Sequence, residues 1–422
     1  MIANVSRVDR RTVFSAVIAA AGLVLAVPAD AAPRGTEMDL TLMPAAGGME
    51  GLGLVRAADP MSMLFGNPAT ATQLDGKLSF TLGASFISPD LRTKSDGAPA
   101  QDGYPGVPPF DGESAFDQSL APHAGVVQRV TDQLVVGGGI TAISGLGSDF
   151  RREIPGGLGP VADLKLFGGN LTAGYEVTPR LSVGGAITLG GGSLQMGLSE
   201  NTASVNAFGL RATVGATYDL GLVAVGGTYR SPMSIKYKDV VETAPGEFSS
   251  VRLEQPQEIG LGIATTDALW RDFYVGLDLR WKNYENARTY RAVWRDQYTA
   301  TLAGQYDQAR WSFRGGYTYS TDIQKQNISS GIDGIDTLAI FDPNAGERVA
   351  APIGPAQVQL FQATATNGFW RQSLSLGLGY AFTQGLRGDV SAGYAFDGRT
   401  TIGANNVRGN IWNANAGLTW SF

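Results

Sequence analysis

Hydrophobic residues fall at every second position along much of this chain. In the final segment Trp412, Ala414, Ala416, Leu418, Trp420 and Phe422 share one parity, while Asn413, Asn415, Gly417, Thr419 and Ser421 share the other. Leu374, Leu376, Leu378, Tyr380 and Phe382 oppose Ser373, Ser375, Gly377, Gly379 and Ala381 in the same way. So do Trp311, Phe313, Gly315, Tyr317 and Tyr319 against Ser312, Arg314, Gly316, Thr318 and Ser320. A period of two belongs to strands with one dry and one wet face. The pattern predicts an all-β protein of about fourteen strands, starting near 77, 118, 134, 161, 180, 203, 221, 249, 272, 293, 310, 368, 385 and 407.

A soluble sandwich buries the apolar face of such strands, whereas an outer-membrane barrel shows it to lipid. The polar parity separates the two. In a sandwich it meets bulk water and should carry many Lys and Glu; here it is mostly Gly, Ser, Thr and Asn, which suit a crowded barrel interior. The dry faces end in aromatics, as at the interfacial girdle of a barrel. Tight turns at 131–133, 178–179, 219–221, 307–310 and 383–384 alternate with longer links at 91–117, 146–160, 238–248 and 321–367. Short periplasmic turns and long external loops alternate in this manner. An even strand number places both chain ends on the periplasmic side. The closing Leu-Thr-Trp-Ser-Phe, ending at Phe422, resembles the terminal aromatic signal read by the barrel-assembly machinery.

Composition narrows the choice further. Gly supplies 57 of 422 residues, Cys none, and charged residues only 17%, a profile that fits neither collagen nor a disordered chain. Lack of Cys removes disulfides, thiolate nucleophiles and Cys-based metal sites. A net charge of −6 leaves no footprint for nucleic acid. At the start, Arg7, Arg10 and Arg11 precede an apolar run from Thr12 to Val27 and the small-residue site Ala29-Asp30-Ala31. Residues 1–31 therefore read as a cleaved secretory signal; the alternative, an uncleaved anchor, would have a short core for spanning.

Residues 32–76 do not alternate, yet they are rich in Met, Leu and Phe, including Met61, Met63, Leu64 and Phe65. They are predicted to form a small helical plug in the lumen, with the barrel wall running over 77–422. This stretch contains Ala57-Ala58-Asp59-Pro60-Met61-Ser62-Met63-Leu64-Phe65-Gly66-Asn67-Pro68-Ala69. It resembles the hatch of the FadL/TodX family, outer-membrane transporters of long-chain fatty acids and aromatic hydrocarbons. Ile87-Ser88-Pro89-Asp90, Gly227-Thr228-Tyr229-Arg230-Ser231 and Trp311 to Tyr319 are similar to elements of that family, in the same order.

The resemblance implies a 14-stranded antiparallel transmembrane β-barrel closed by an N-terminal hatch, with an apolar ligand pocket and sideways release into lipid. It implies a monomer in the outer membrane of a Gram-negative bacterium, with a hydrophobic small molecule and membrane lipid as its partners. Asn67, Pro68 and Ala69 would be the hatch motif facing a gap in the wall. A kink in the third strand, Leu134 to Ser144, would open that gap. Gly137, Gly138 and Gly139 are its expected place, because glycine runs permit bulges; close packing against the plug is the competing explanation.

The ninth strand is expected to carry Asp278, Arg280, Lys282, Tyr284, Asn286 and Arg288 on its inward parity. Arg288 aligns with a basic residue that contacts the fatty-acid head group in the family, and Arg280 and Lys282 are further candidates. The alternative is a lumen ladder in which Arg280 pairs with Asp278 or with an acid on a neighbouring strand. Two departures weigh against a fatty-acid preference. The family's second basic residue has no counterpart in 190–195, and the link near 197–202 is too short for a helical lid. The apolar link 321–367 is the expected substitute.

The chain is not expected to be an enzyme. Its single His, His123, lies in a predicted wall strand, and no nucleophile elbow or phosphate loop has a usable setting. No cofactor or metal is expected. The rival functions are a general diffusion porin and a structural or adhesive barrel.

Overall fold

The computed structural model describes residues 39–422 except 102, 117, 156–157, 199–201, 327, 329–331, 333, 343–344, 366–367 and 369, and omits the side chains of 146 and 397. The expected signal segment lies outside the described residues. Fourteen antiparallel strands form one closed wall: β1 Leu78–Ser95, β2 Ser119–Arg129, β3 Leu134–Asp149, β4 Val161–Thr178, β5 Leu181–Gly197, β6 Val205–Asp219 and β7 Val223–Arg230. The second half is β8 Glu258–Thr265, β9 Phe273–Lys282, β10 Gln297–Gln308, β11 Trp311–Ser320, β12 Gln372–Ala381, β13 Leu386–Ile402 and β14 Asn405–Ser421. The wall closes where β1 meets β14 in continuous register from Ser79↔Ser421 to Ser95↔Asn405. Closure removes both sheet edges, which hydrocarbon would otherwise leave without hydrogen-bond partners.

Burial along the strands is inverted relative to a soluble protein. On β12 the Leu376 side chain is 65% exposed and its neighbour Ser375 only 2%. On β14 Asn413 and Asn415 are buried while Trp412 and Leu418 are exposed. The apolar parity faces outward and the small polar parity fills the interior, as lipid requires. Aromatic rings gather at the rim that carries the short turns: Phe80 lies 5.8 Å from Trp420, and Trp311 4.5 Å from Tyr380. No described helix is long and apolar enough to cross a membrane.

One predicted strand start is corrected. The eighth wall strand begins at Glu258, not near 249, because Glu247–Gln255 pairs with Met233–Ala244 in a separate external hairpin. That hairpin folds over the inner face of the wall instead of projecting away. Met233 packs against Gly190 and Gly209, and Ile235 and Tyr237 are fully buried. The long external link likewise forms a hairpin, Thr337–Asp342 with Glu347–Pro352, and then a helix, Pro355–Ala365.

Inside the barrel, residues 39–74 form short helical turns: Asp39–Leu42, α1 Pro44–Gly47, α2 Pro60–Phe65 and Pro68–Gln73. Helix α2 starts at a capping box, with the Asp59 carboxylate accepting from the Ser62 N–H at 2.7 Å and the Ser62 hydroxyl accepting from the Asp59 N–H at 3.0 Å. Pro60 at its first position has no N–H to leave unsatisfied. The helices labelled α3, Tyr290–Val293, and α4, Pro355–Ala365, belong to external links.

The outward orientation has a direct test. Leu376→Arg or Leu171→Arg, each near the middle of its strand, should cost about 2–4 kcal/mol in reversible unfolding from lipid vesicles. Equal stability of these variants and the parent would contradict a lipid-facing surface.

Candidate functional site

The hatch is fixed by wall side chains that reach into the lumen. Asp278 of β9 accepts the backbone N–H groups of Gly53 and Leu54 at 3.0 and 3.2 Å. Arg230 of β7 donates to the Phe65 carbonyl at 2.7 Å, Arg129 of β2 to the carbonyls of Thr72 and Leu74, and Asn415 of β14 to that of Thr41. Hatch turns too short to satisfy their own backbone groups borrow partners from the wall. The axial path is thereby occupied.

Asn67 is fully buried and holds three partners: its amide donates to the carbonyls of Leu54 at 2.6 Å and Ala216 at 3.1 Å, and its oxygen accepts from the Ala69 N–H at 3.0 Å. Pro68 lies against Gly184 of β5, where a methyl group would stand 2.5 Å from the Pro68 carbonyl oxygen. Asn67, Pro68 and Ala69 therefore face β4 to β6, and not the third strand.

The glycine triplet has a different neighbour. A Cβ at Gly137 or Gly139 would stand 2.8 or 2.9 Å from the Leu64 side chain of α2. Through Gly137, Gly138 and Gly139 the pairing with both β2 and β4 is unbroken. The expected kink is absent there; these residues admit the hatch against the wall. The irregularity lies farther along, where a register shift between Ala142 and Ser144 bulges β3 at Ile143.

Beyond Ile140, β3 also parts from β2. Their ladder joins only Ala124–Arg129 to Val135–Ile140, although β2 begins at Ser119 and β3 continues to Asp149. A cavity of about 340 Å³ fills the resulting slot. Its inner lining includes Ile87, Leu164, Leu166, Trp370 and Ile411, and its outer lining includes Leu120, Lys165 and Phe167. The slot is thus lined from both faces of the wall.

Above the hatch, two apolar spaces lie beneath the folded-in links. One of about 40 Å³ is lined by Met196, Val241, Ile332, Leu360 and Phe361, among others; the next, of about 20 Å³, shares Met196, Ile332 and Phe361 and adds Leu164. Leu164 also lines the slot. Toward the outside, Leu158 joins the first space to a surface groove of about 730 Å³ between 100–108 and the 337–352 hairpin. Gln357, Thr289 and Tyr290 are the described side chains with polar groups that line the two inner spaces. Packed against this core are Tyr284, Tyr290 and Trp294; the Tyr290 and Trp294 rings stack 4.9 Å apart. This apolar chamber was foreseeable only in part, because its walls come from links whose strands carry no long alternating pattern.

The basic candidates separate. Arg280 pairs with Asp278 at 3.3 Å and with Glu258 of β8 at 3.4 Å, and donates to the Gly51 carbonyl. That is the lumen ladder, extended to the hatch. Lys282 is buried at the outer end of β9. The strand ends there, so Tyr284, Asn286 and Arg288 belong to the following link, and Arg288 is exposed. Arg288 does not reach the lumen parity expected of it. His123 is buried beside Gly83, and neither ring nitrogen has a hydrogen-bond partner among the described residues.

The two external hairpins are tied together by Glu242 and Arg348 at 2.5 Å. Partial burial pushes the Glu242 carboxyl upward, but the Arg348 guanidinium and the Gly246 N–H outweigh it and hold the group below its ordinary value.

Residues 46–217, spanning most of the hatch and β1 to β6, match the model of the outer membrane protein transport protein family, OMPP1/FadL/TodX. The family resemblance is borne out. The barrel, whose hatch and first six strands match that family's model, lies in the outer membrane of a Gram-negative bacterium. It aligns with the toluene transporter TodX of P. putida at 14% identity and TM-score 0.63, covering 90% of this chain and 98% of that one. It aligns with the Ralstonia pickettii toluene transporter TbuX at 17% identity and TM-score 0.60, with the same coverage. A Pseudomonas aeruginosa FadL homologue gives 15% identity and TM-score 0.63, covering 93% of this chain and 100% of that one. At these identities the likeness concerns the fold. No curated protein matches the chain.

Two measurements test the site. Asp278→Ala removes the acceptor of two hatch N–H groups and a buried ion-pair partner, and should weaken hatch docking by about 3–5 kcal/mol. Planar-bilayer recordings should then show open-channel events absent from the parent; a silent variant would contradict this anchoring. Glu242, being depressed, strengthens the hairpin tie above its unfolded-state pKa, and that contribution disappears as pH falls through its folded-state value. A carboxyl NMR titration should find its midpoint below the ordinary Glu range and see it rise in Arg348→Ala. An unmoved midpoint would refute the tie.

Proposed function

We propose that this protein carries neutral hydrophobic small molecules from the cell exterior into the outer membrane. Cargo enters by the surface groove, crosses the apolar chamber and leaves sideways between β2 and β3. One observation carries the reading: four largely apolar spaces share lining residues in series and end at the slot where β2 and β3 part, while the hatch occupies the axis. An apolar molecule gains about 0.8 kcal/mol per buried CH₂ group, so release into hydrocarbon avoids a costly exit into water.

The chamber argues for cargo without charge. Among the described residues, no Lys, Arg, Asp or Glu lines its two spaces. Arg280 is committed to Asp278, Glu258 and the hatch, and Arg288 lies exposed outside the wall strand. A carboxylate held in these two spaces would find no charge-assisted partner among their described lining residues. The solved neighbours TodX and TbuX are toluene transporters and CymD is a monoaromatic hydrocarbon channel, which supports aromatic hydrocarbons over fatty acids.

A cavity near 150 Å³ holds benzene, so spaces of 40 and 20 Å³ are closed at rest. Cargo must part Met196 and Phe361, and methionine adapts readily to such movement. The slot, at 340 Å³, already accommodates a single ring.

Ser144→Trp, which places a large side chain in the slot, should reduce toluene uptake by expressing cells at least about tenfold at limiting concentration, equivalent to ~1.4 kcal/mol on the barrier. Heat-modifiable gel mobility verifies the folded barrel. Undiminished uptake by a folded variant would defeat sideways release.

A further inference from the structure

The link between β1 and β2 ends in a strap that bridges the top of the slot. The Ser114 N–H donates to the Leu91 carbonyl of β1, and the Ala115 N–H to the Asp149 carbonyl of β3, each at 2.8 Å. The Ser114 hydroxyl accepts from the N–H groups of Asp149 at 3.0 Å and Phe116 at 3.2 Å. These bonds pin the strap to strands on both sides, above the point where the β2–β3 ladder has stopped. They deliver the Phe116 ring to the outer face of the wall.

There the ring rests on Gly147 of β3. A Cβ at that position would stand 2.2 Å from the ring edge, so the ring lies flush only because residue 147 has no side chain. Lys165 of β4 sets its ammonium 5.7 Å from the ring centroid and 2.5 Å from the Asp163 carboxylate. Gly147 and Asp163 are register partners, and Lys165 pairs with Gly145; these positions lie on the parity opposite Leu164 and Leu166, which face the lumen. Phe116, Gly147 and Lys165 all line the slot cavity.

We infer that Phe116 is the door of the slot and sets the size of molecule that leaves through it. The inference rests on the sideways route proposed above. The strap is held by backbone and by Ser114, so the ring turns about its own side-chain bonds without unlatching the strands. Its seat is a bare backbone on one side and a weak ammonium–ring contact on the other, which hold the ring without locking it. A small cargo passes beside the ring, whereas a wider one requires it to swing away.

The test compares uptake of radiolabelled toluene and biphenyl by cells expressing each variant at matched folded levels. Phe116→Ala should raise the biphenyl-to-toluene ratio severalfold, and Phe116→Trp should lower it. Gly147→Ala keeps the ring but unseats it and should move the ratio in the direction of Phe116→Ala. A purely structural role would depress both cargoes together and leave the ratio fixed. An unchanged ratio in all three variants, with Ser144→Trp still blocking both cargoes, would overturn the door while leaving the route intact. If Ser144→Trp also passed both cargoes, the route would fail and the door with it.

Discussion

In hydrocarbon, a backbone N–H or C=O without a partner costs several kcal/mol, and the architecture follows from this constraint. It forces the wall to close between β1 and β14, and it makes any break in the ladder conspicuous. The interruption between β2 and β3 begins after Ala124 and Ile140, at a place where the protein has supplied a bulge, a strap and an aromatic ring in place of paired strands. A defect that was merely tolerated would not need such equipment.

The same constraint organises the interior. Short hatch turns leave many backbone groups unsatisfied, and the polar parity of the wall answers them with Asp278, Arg230, Arg129 and Asn415. Side chains that read as a polar strand face are therefore the docking surface for the plug. Their commitment to the hatch closes the axis, and no charged side chain is among the described residues lining the upper chamber, which is what the proposed route and cargo require.

Wall strands were legible because lipid on one side and a crowded lumen on the other impose a strict two-residue alternation, as in Trp412 to Phe422. The hatch was legible as a break in that alternation. Where links fold back into the lumen the signal weakens: Glu247–Gln255 alternates well enough to resemble a wall strand, yet it pairs with Met233–Ala244. Arg288 continues the parity of Arg280 and Lys282 on paper, but β9 ends at Lys282 and periodicity carries no mark of a strand's last hydrogen bond. The glycine triplet showed a genuine need for close approach, but glycine serves packing and bulging equally, and only the position of Leu64 separates the two. The bulge at Ile143 has no local marker of its own.

The central claim is that cargo travels from the chamber into the wall slot and never along the barrel axis. A crystal structure of the protein soaked in bromobenzene tests it most directly, since bromine is located by its anomalous scattering. The account predicts bromine peaks in the apolar chamber and in the slot between Leu120 and Ala142. Peaks running past Asn67 toward the periplasmic opening, with the slot empty, would contradict it.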